Sequence, residues 1–301
     1  MQTIKLFIRL SRPLFLLGGF LFFALGAGIA HYLGAAIDWN LYFLGQAWVT
    51  LMQLSIHYLN EYFDTTADAD NPNRTLFSGG SGAIGEGKLP RPVALWSSLV
   101  CLTVVASLTV IMMVRLGFDP LVFTILALGF FGGLFYSVPP FRLASSGYGE
   151  LTTSFLVANL IPSLAFVLQT GDLHRLVAMA TFPLTFQHMS MMLAFELPDY
   201  GTDIRHLKRT LMVRVGWESG VILHNILLLA AYVILAISVF SGLPFPIAFP
   251  AFLTLPLALF QVWQMNRIAS GGRPNWSLLG FVAVMIVGLS TYLVAFTFWT
   301  R

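Results

Sequence analysis

Two segments of this chain repeat one spacing of acidic and basic residues. The spacing is carried by Asp64-x3-Asp68-x5-Arg74-Thr75-Leu76 and by Asp199-x3-Asp203-x5-Arg209-Thr210-Leu211. The offset between the copies is constant, since 199 − 64, 203 − 68 and 209 − 74 all equal 135. A polar pattern held in register within a chain that is 57% hydrophobic indicates two related halves. The pattern predicts a tandem repeat, with halves near 1–140 and 141–265 and a final helix over 277–299.

Each copy has the chemistry of a metal and phosphate site. Two aspartates four residues apart lie on one face of a helix, about one turn from each other. Because like charges repel, both carboxylates stay ionised only with a cation between them, and oxygen ligands suit Mg²⁺ or Ca²⁺. The arginine that follows can bind a phosphate with its planar fork. One copy alone is equally explained by an acidic turn with a solvated arginine, but two matched copies favour a clamp that holds a diphosphate through metal ions.

The composition predicts the elements that must position these residues. Mean hydropathy is +0.80 and only 10% of residues are charged, which is typical of an all-α polytopic membrane protein. We predict one domain over residues 1–301. Its nine membrane spans are predicted at Leu14–Leu33, Leu41–Leu59, Val93–Val114, Pro120–Tyr136, Leu151–Gln169, Val177–Leu197, Gly220–Phe240, Phe245–Met265 and Ser277–Trp299.

The distribution of basic residues predicts the orientation. With nine spans, 13 of the 16 lysines and arginines fall on the side of the N-terminus, together with both aspartate pairs. By the positive-inside rule that side is cytoplasmic and the C-terminus lies opposite. Membrane topology therefore explains the net charge of +3, and no nucleic-acid partner is expected. We expect an integral protein of the plasma (inner) membrane of a prokaryote.

A polar stripe follows the second predicted span and leads into the first motif. Steps of four and three residues place Gln53, His57, Asn60 and Asp64 on one face, which predicts a cavity wall because polar groups in a bilayer are costly. The amide oxygen of Asn60 can complete a cation site. The loop that follows contains Ser78-Gly79-Gly80-Ser81-Gly82 and is predicted to be a lid over the site. Lys88, further along, is either a phosphate contact or a topology charge.

Other polar residues near the predicted spans are further candidates. Tyr136 and Arg142 flank Pro139-Pro140, which end the fourth span and are predicted to hold Tyr136 at the cavity wall and Arg142 at its cytoplasmic mouth. Asn159 and His188 lie inside the fifth and sixth spans and are predicted to line the cavity. The loop after the sixth span is basic and includes Lys208 and Arg209.

Taken together, these motifs resemble those of the UbiA superfamily of intramembrane aromatic prenyltransferases. The resemblance is carried by Asn60-x3-Asp64-x3-Asp68, Asp199-x3-Asp203, Tyr136-Ser-x-Pro-Pro-x-Arg142 and Lys208-Arg209-Thr210-Leu211. There are departures from the family pattern: Glu61 stands where many members have Asp, and Arg142 where Lys is common. In the menaquinone branch the last acid often falls where this chain has Asp70. Asp68 and Asp70 therefore both remain candidate ligands, and the internal repeat favours Asp68.

The resemblance implies a nine-helix bundle around a central cavity, capped on the cytoplasmic side by the loops after helices 2 and 6. It implies Mg²⁺ bound by Asn60, Asp64, Asp68, Asp199 and Asp203, with Tyr136 also at the catalytic site. A polyprenyl diphosphate donor would be neutralised by the basic residues Arg74, Lys88, Arg142, Lys208 and Arg209. Gln53, His57, Asn159 and His188 would line the cavity or contact a small aromatic acceptor.

The glycine-rich loop looks most like the branch that prenylates 1,4-dihydroxy-2-naphthoate for menaquinone. Prenyl transfer to 4-hydroxybenzoate, a chlorin or a glycerol phosphate lipid is the alternative within the superfamily. A cation-coupled secondary transporter is the alternative of another class, since tandem repeats and intramembrane acids occur there too. The clustering of the acids at the cytoplasmic ends of spans argues against a transporter, whose ionisable residues lie at mid-membrane. The sequence leaves the oligomeric state open.

Overall fold

The computed structural model describes residues 2–85 and 87–301, and its regular secondary structure is helical. No β-strand occurs in these two ranges; Ile84 and Leu89 form an isolated bridge. The helices are α1 (Gln2–Leu10), α2 (Pro13–Tyr32), α3 (Trp39–Ala69), α4 (Arg91–Leu116), α5 (Pro120–Ser137), α6 (Gly149–Phe155), α7 (Ile161–Thr170), α8 (Arg175–Glu196), α9 (Tyr200–Arg205), α10 (Leu211–Val215), α11 (Trp217–Phe240), α12 (Phe245–Phe252), α13 (Leu255–Ala269) and α14 (Trp276–Thr300).

The predicted membrane spans all fall in helical segments. Eight segments of the described chain are long and apolar enough to cross a bilayer, so the protein is an integral membrane protein. The fifth span is α6 and α7, joined by a π-helical turn at Leu156–Leu160, and the eighth is α12 with α13. The second span lies in α3, whose 31 residues carry the polar stripe. Because the polar residues of that stripe make α3 less apolar, α3 is not one of these eight segments. The count of nine membrane spans therefore stays a prediction.

Local sequence signals set where several helices begin and end. Asp38 caps α3, since its Oδ1 accepts hydrogen bonds from the backbone N–H groups of Asn40 (2.8 Å) and Leu41 (3.1 Å). Asp119 caps α5 in the same way, with Pro120 in the first turn. α5 ends at Ser137, just before Pro139 and Pro140, which cannot continue a helix.

The helices that lead into the two aspartate motifs each pack along the next long helix of the bundle. α3, which carries the first aspartate pair, packs along α4, and α8, which leads to the second pair, packs along α11. α2 lies against both α7 and α14. Gly26 permits the first of these contacts, because a Cβ atom there would overlap the carbonyl group of Pro162. The pairs α3–α4 and α8–α11 are therefore similar, while the division of the chain into repeat halves stays a prediction.

The two ends of the bundle differ in character. At one end the indoles of Trp39 and Trp299 stack with centroids 6.0 Å apart, and the Asp38 N–H donates to Gln169 Oε1 at 2.7 Å. At the other end the loops rich in arginine and lysine meet the C-terminal part of α3. The cavity described next lies at this basic end.

Candidate active site

A cavity of about 230 Å³ lies among α3, α5, α6 and α8 and is partly covered by the loop after α3. Nine of the residues predicted for the site line it, and they come from both halves of the chain. They are Gln53, His57, Asn60, Asp64, Asp68, Tyr136, Asp199, Asp203 and Lys208. The structure therefore brings together two motifs that stand 135 residues apart in the sequence.

Lys208 joins the two motifs. Its Nζ lies 2.8 Å from Asp64 Oδ2 and 3.9 Å from Asp203 Oδ1. Burial alone would lower the pKa of Lys208, but Asp64, Asp203 and Asp68 outweigh burial and raise it above its ordinary value. The ammonium group is therefore held charged between carboxylates from the two copies of the motif.

Asp68, Asp199 and Asp203 are partly or fully buried, and the positive charge of Lys208 does not offset that burial. Burial raises the pKa of Asp68 and of Asp203 to about 7, and it raises that of Asp199. Across residues 2–85 and 87–301, no three carboxylate, imidazole or thiolate groups converge closely enough to coordinate one ion by themselves. The site is thus rich in oxygen ligands and poor in cations, and tight binding of an ion here would need further ligands from a second molecule.

Asp199 ties the loop after α3 to the second motif. Its Oδ1 accepts a hydrogen bond from Asn71 Nδ2 (2.7 Å) and its Oδ2 from the Gly79 N–H (3.0 Å). Gly80 has φ +72°, and a Cβ atom there would overlap the Asp68 carboxylate, so glycine is required. Phe77, Ser78, Gly79 and Gly80 all line the cavity, which supports the predicted lid.

Aromatic rings form part of the cavity wall. Phe77 stacks on Phe195 with centroids 5.8 Å apart, and Phe15 meets both rings edge-on. His57 packs edge-on against Phe15, and its Nδ1 lies 3.3 Å from the carbonyl oxygen of Ser11. His57 is therefore a wall residue.

The comparisons with known proteins decide the family. The model of the UbiA prenyltransferase family matches residues 20–284. The chain belongs to the UbiA prenyltransferase family. The predicted resemblance and the prediction of a prenyltransferase are thereby confirmed. No curated protein matches the sequence significantly.

Solved UbiA homologues share this fold at low sequence identity. A UbiA homologue from Archaeoglobus fulgidus bound to DMAPP and Mg²⁺ is 16% identical, with TM-score 0.70 over 95% of this chain and 98% of that one. The apo structure of a homologue from Aeropyrum pernix K1 is 13% identical, with TM-score 0.63 over 91% and 96%. A digeranylgeranylglyceryl phosphate synthase is 14% identical, with TM-score 0.57 over 100% and 98%.

Some basic residues predicted for this UbiA-family site lie outside the cavity. Arg74 donates from Nε to the Gly79 carbonyl at 2.7 Å and from Nη2 to the Asp68 carbonyl, so it stabilises the lid from behind. Lys88 and Arg209 are exposed and do not line the cavity. Arg142 reaches Asp64 Oδ1 at 3.4 Å from a side chain that is 41% exposed, so it lies at the mouth.

Two polar residues predicted for the cavity wall, Asn159 and His188, do not line the cavity. The amide of Asn159 lies between Thr185 and Thr181; Thr181 Oγ1 donates to its Oδ1 at 2.9 Å. His188 Nδ1 lies 3.0 Å from Ser154 Oγ within the helix bundle. Both side chains satisfy polar groups between α6, α7 and α8, as buried polar groups in a bilayer must.

Sequence reasoning missed several polar residues of the UbiA-family cavity. Arg12 lines the cavity and forms an ion pair with the buried Glu61, whose Oε2 also accepts from Ser81 Oγ at 2.7 Å. Glu150 and Glu196 line the cavity as well. The available signal was the presence of acids inside or directly beside predicted spans, where charges are costly unless functional.

The structure separates the two candidates for the third acid. Asp68 lines the cavity, whereas Asp70 is 60% exposed and its Oδ2 lies 3.0 Å from His206 Nε2. We expect Asp68→Asn to lower kcat/KM by about 10²-fold or more, as removal of one electrostatic contact at a reacting site does. Asp70→Asn is expected to change it by less than about threefold. Steady-state kinetics of the two variants tests this assignment. A larger loss of kcat/KM in Asp70→Asn than in Asp68→Asn would contradict it.

Proposed function

We propose that this chain transfers a polyprenyl group from an allylic diphosphate to an aromatic acceptor in a Mg²⁺-dependent reaction. The observation that carries the proposal is the convergence of both aspartate pairs on one cavity, with Lys208 held between Asp64 and Asp203. A membrane-embedded cavity with charged and aromatic walls suits a substrate with an anionic head and an apolar tail.

The residues present fit Mg²⁺ bound together with a diphosphate. Mg²⁺ prefers oxygen ligands. The candidate ligands that face the cavity from the two motifs can supply oxygen atoms; they are Asn60, Asp64, Asp68, Asp199 and Asp203. Mg²⁺ is usually held by one or two carboxylates plus substrate phosphates, which agrees with the lack of a three-ligand cluster in the described part of the chain. When bound, the ion neutralises charge on the diphosphate and makes it a better leaving group.

The chain's own residues have separate tasks in the transfer. The bond between the prenyl carbon and the diphosphate oxygen breaks, and its electron pair leaves on the diphosphate. Lys208 is placed to stabilise that charge, and the rings of Phe15, Phe77 and Phe195 line the cavity in which the positive charge develops on the prenyl carbon. The loop from Phe77 to Gly80 keeps water away.

An apolar cleft offers a place for the prenyl chain. It measures about 60 Å³, runs between α3, α5 and the α6–α7 segment, and shares Gln53, Ile56, Leu156 and Val157 with the cavity. Its wall includes Trp48, whose Nε1 donates to Thr109 Oγ1 at 2.9 Å. The charged cavity and this cleft together match a diphosphate head with a hydrocarbon tail.

We propose 1,4-dihydroxy-2-naphthoate as the acceptor. Support comes from the aromatic wall, which suits a flat bicyclic ring, and from the resemblance of the glycine-rich loop to the menaquinone branch. The alternatives are 4-hydroxybenzoate, a chlorin and a glycerol phosphate lipid, the last because a digeranylgeranylglyceryl phosphate synthase shares the fold. A transporter is disfavoured because the acids lie at one end of α3 and α8.

The proposed setting is the plasma membrane of a prokaryote, with the cavity mouth and N-terminus facing the cytoplasm. The basic loops that meet near the cavity support this orientation. Arg267 in the last turn of α13 and Arg273 in the loop that follows border Pro72–Thr75 of the loop after α3.

An assay with purified protein, Mg²⁺ and geranylgeranyl diphosphate tests the acceptor. Dihydroxynaphthoate, 4-hydroxybenzoate and a glycerol phosphate lipid are offered in parallel and the prenylated products are quantified. We expect product from dihydroxynaphthoate alone. Product from another acceptor only would retain the mechanism and reject this acceptor, and Mg²⁺-dependent donor binding without any product would reject all three.

A further inference from the structure

The loop that follows the first aspartate motif supplies two hydrogen-bond donors to the second motif. Asn71 Nδ2 donates to Asp199 Oδ1 at 2.7 Å, and the Gly79 N–H donates to Asp199 Oδ2 at 3.0 Å. Asn71 is only 9% exposed. Each oxygen of a carboxylate that lines the cavity is therefore held by a donor from a segment about 120 residues or more away in the sequence.

The contacts of Asn71 determine which end of its amide group faces Asp199. Asn71 Oδ1 accepts a hydrogen bond from the Asn73 N–H at 2.9 Å. Because a backbone N–H can only donate, the amide oxygen must face Asn73 and the amide nitrogen must face Asp199. Gly79 has φ +74°, and a Cβ atom there would lie 2.5 Å from Asn71 Nδ2. Glycine is thus required at position 79 if both donors are to reach the same carboxylate.

The first aspartates of the two motifs receive different kinds of donor. Asp64 is contacted by Lys208, which follows the second motif, whereas Asp199 is contacted by Asn71 and Gly79, which follow the first. The ammonium group of Lys208 is a cation, but the amide and the backbone N–H are neutral. Neutral donors fix the direction of a carboxylate without supplying positive charge, and each oxygen of an ionised Asp199 keeps a lone pair for an ion.

We propose that Asn71 is a positioning residue for the metal site, which orients Asp199 as a ligand of Mg²⁺ when the loop after α3 lies over the cavity. This inference rests on the proposed function. Groups that hydrogen-bond to a metal ligand fix its direction, and their loss typically lowers metal affinity by about 10- to 100-fold. Binding of the ion and closure of the loop should then favour each other, since such a coupling is reciprocal.

Anchoring of the loop is the alternative role of Asn71, and Asn73 provides the matched control. Asn73 Nδ2 donates to the carbonyl oxygen of Pro198 at 3.1 Å, so it ties the same loop to the same segment through a backbone group. Serine is the replacement at both positions. At position 71 its hydroxyl can still accept from the Asn73 N–H, as in an ST-turn, but it is too short to reach Asp199.

The test is a calorimetric titration with Mg²⁺ of the full chain in lipid nanodiscs, in the presence of inorganic diphosphate. We expect Asn71→Ser to weaken Mg²⁺ binding by about 10- to 100-fold. We expect Asn73→Ser to keep the wild-type Mg²⁺ affinity, even if its thermal stability is lower. Wild-type Mg²⁺ affinity in Asn71→Ser, or an equal loss of affinity in the two variants, overturns the inference.

Hydrogen exchange of the wild-type chain tests the same coupling without a substitution. Exchange of the Gly79 N–H is followed before and after Mg²⁺ and inorganic diphosphate are added. We expect slower exchange, because the bound ion and the closed loop favour each other. Faster or unchanged exchange overturns the inference, since it would show that the ion binds without the contact between Gly79 and Asp199.

The outcomes separate this inference from the proposed function. Turnover and Mg²⁺ binding by the wild type, together with unchanged Mg²⁺ affinity in Asn71→Ser, overturn the inference and leave the proposed function standing. A wild-type chain that neither binds Mg²⁺ with diphosphate nor turns over with any acceptor overturns both.

Discussion

Replacement of Asp64 by asparagine is expected to reduce kcat/KM for prenyl transfer by about 10²- to 10³-fold, the usual loss when one preorganised electrostatic contact to a transition state is removed. Asp64 is the most highly connected acid of the cavity. It contacts Lys208 at 2.8 Å, Asn60 at 3.0 Å and Arg142 at 3.4 Å. Loss of its charge releases Lys208 and removes an oxygen ligand at the same time. Steady-state kinetics with purified variant protein measures the effect.

Asp38→Asn is the matched control for this variant. Asp38 caps α3 at the opposite end of the same helix, and asparagine caps helices as well as aspartate does. We expect this variant to retain wild-type kinetics and thermal stability. Turnover within threefold of wild type in Asp64→Asn, with the protein folded, would remove Asp64 from the clamp.

Replacement of Lys208 by methionine is expected to affect turnover and metal binding in opposite directions. Turnover should fall by about 10²-fold or more, because the diphosphate loses a fixed positive charge as it leaves. Binding of Mg²⁺ without donor should become tighter, because the ammonium group no longer occupies the space between Asp64 and Asp203. Calorimetric titration of the donor-free protein with Mg²⁺ measures the second effect.

Arg205→Gln is the control for the loss of a positive charge in this loop. Arg205 is exposed and its Nη2 donates to Thr202 Oγ1 at 3.2 Å, away from the cavity. We expect neither turnover nor Mg²⁺ binding to change in this variant. Weaker Mg²⁺ binding in Lys208→Met would contradict the view that Lys208 and the metal compete for the same carboxylates.

The repeated motif predicted the site because its spacing has a direct structural consequence. Asp64 and Asp68 follow a polar stripe on one helical face, so their convergence on a cavity wall was foreseeable. The second copy differs in local structure, since Asp199 precedes α9 and Asp203 lies within it. Both pairs nevertheless reach the same cavity, and this is the part of the site that sequence could supply.

The arginines of the same motif were not predictable from spacing. Arg74 and Arg209 occupy equivalent positions, but one stabilises the lid through the carbonyl groups of Asp68 and Gly79 and the other is exposed. Loop conformation decides where such long side chains point, and it depends on tertiary contacts such as those of Asp199 with Asn71 and Gly79. A periodic pattern contains no information about those contacts.

The sequence also did not predict which distant residues pair with the buried polar side chains. Glu61 lies next to Asn60 in the sequence, but its counter-ion Arg12 is 49 residues away. Glu150 on α6 and Glu196 on α8 likewise accept from the neighbouring N–H groups of Leu211 and Met212, far along the chain from Glu150. Asn159 lies in a predicted span, as an intramembrane polar residue of a cavity would, yet its partners are Thr181 and Thr185. An intramembrane polar group indicates that a partner exists without naming it.

The central claim is that the two aspartate pairs hold the donor diphosphate through Mg²⁺. The most direct measurement is prenyl transfer from geranylgeranyl diphosphate to dihydroxynaphthoate by the purified chain, before and after removal of divalent ions with EDTA and again after Mg²⁺ is restored. We expect turnover to fall to background with the chelator and to return with Mg²⁺. Turnover that persists at the wild-type rate in the presence of EDTA would contradict the account.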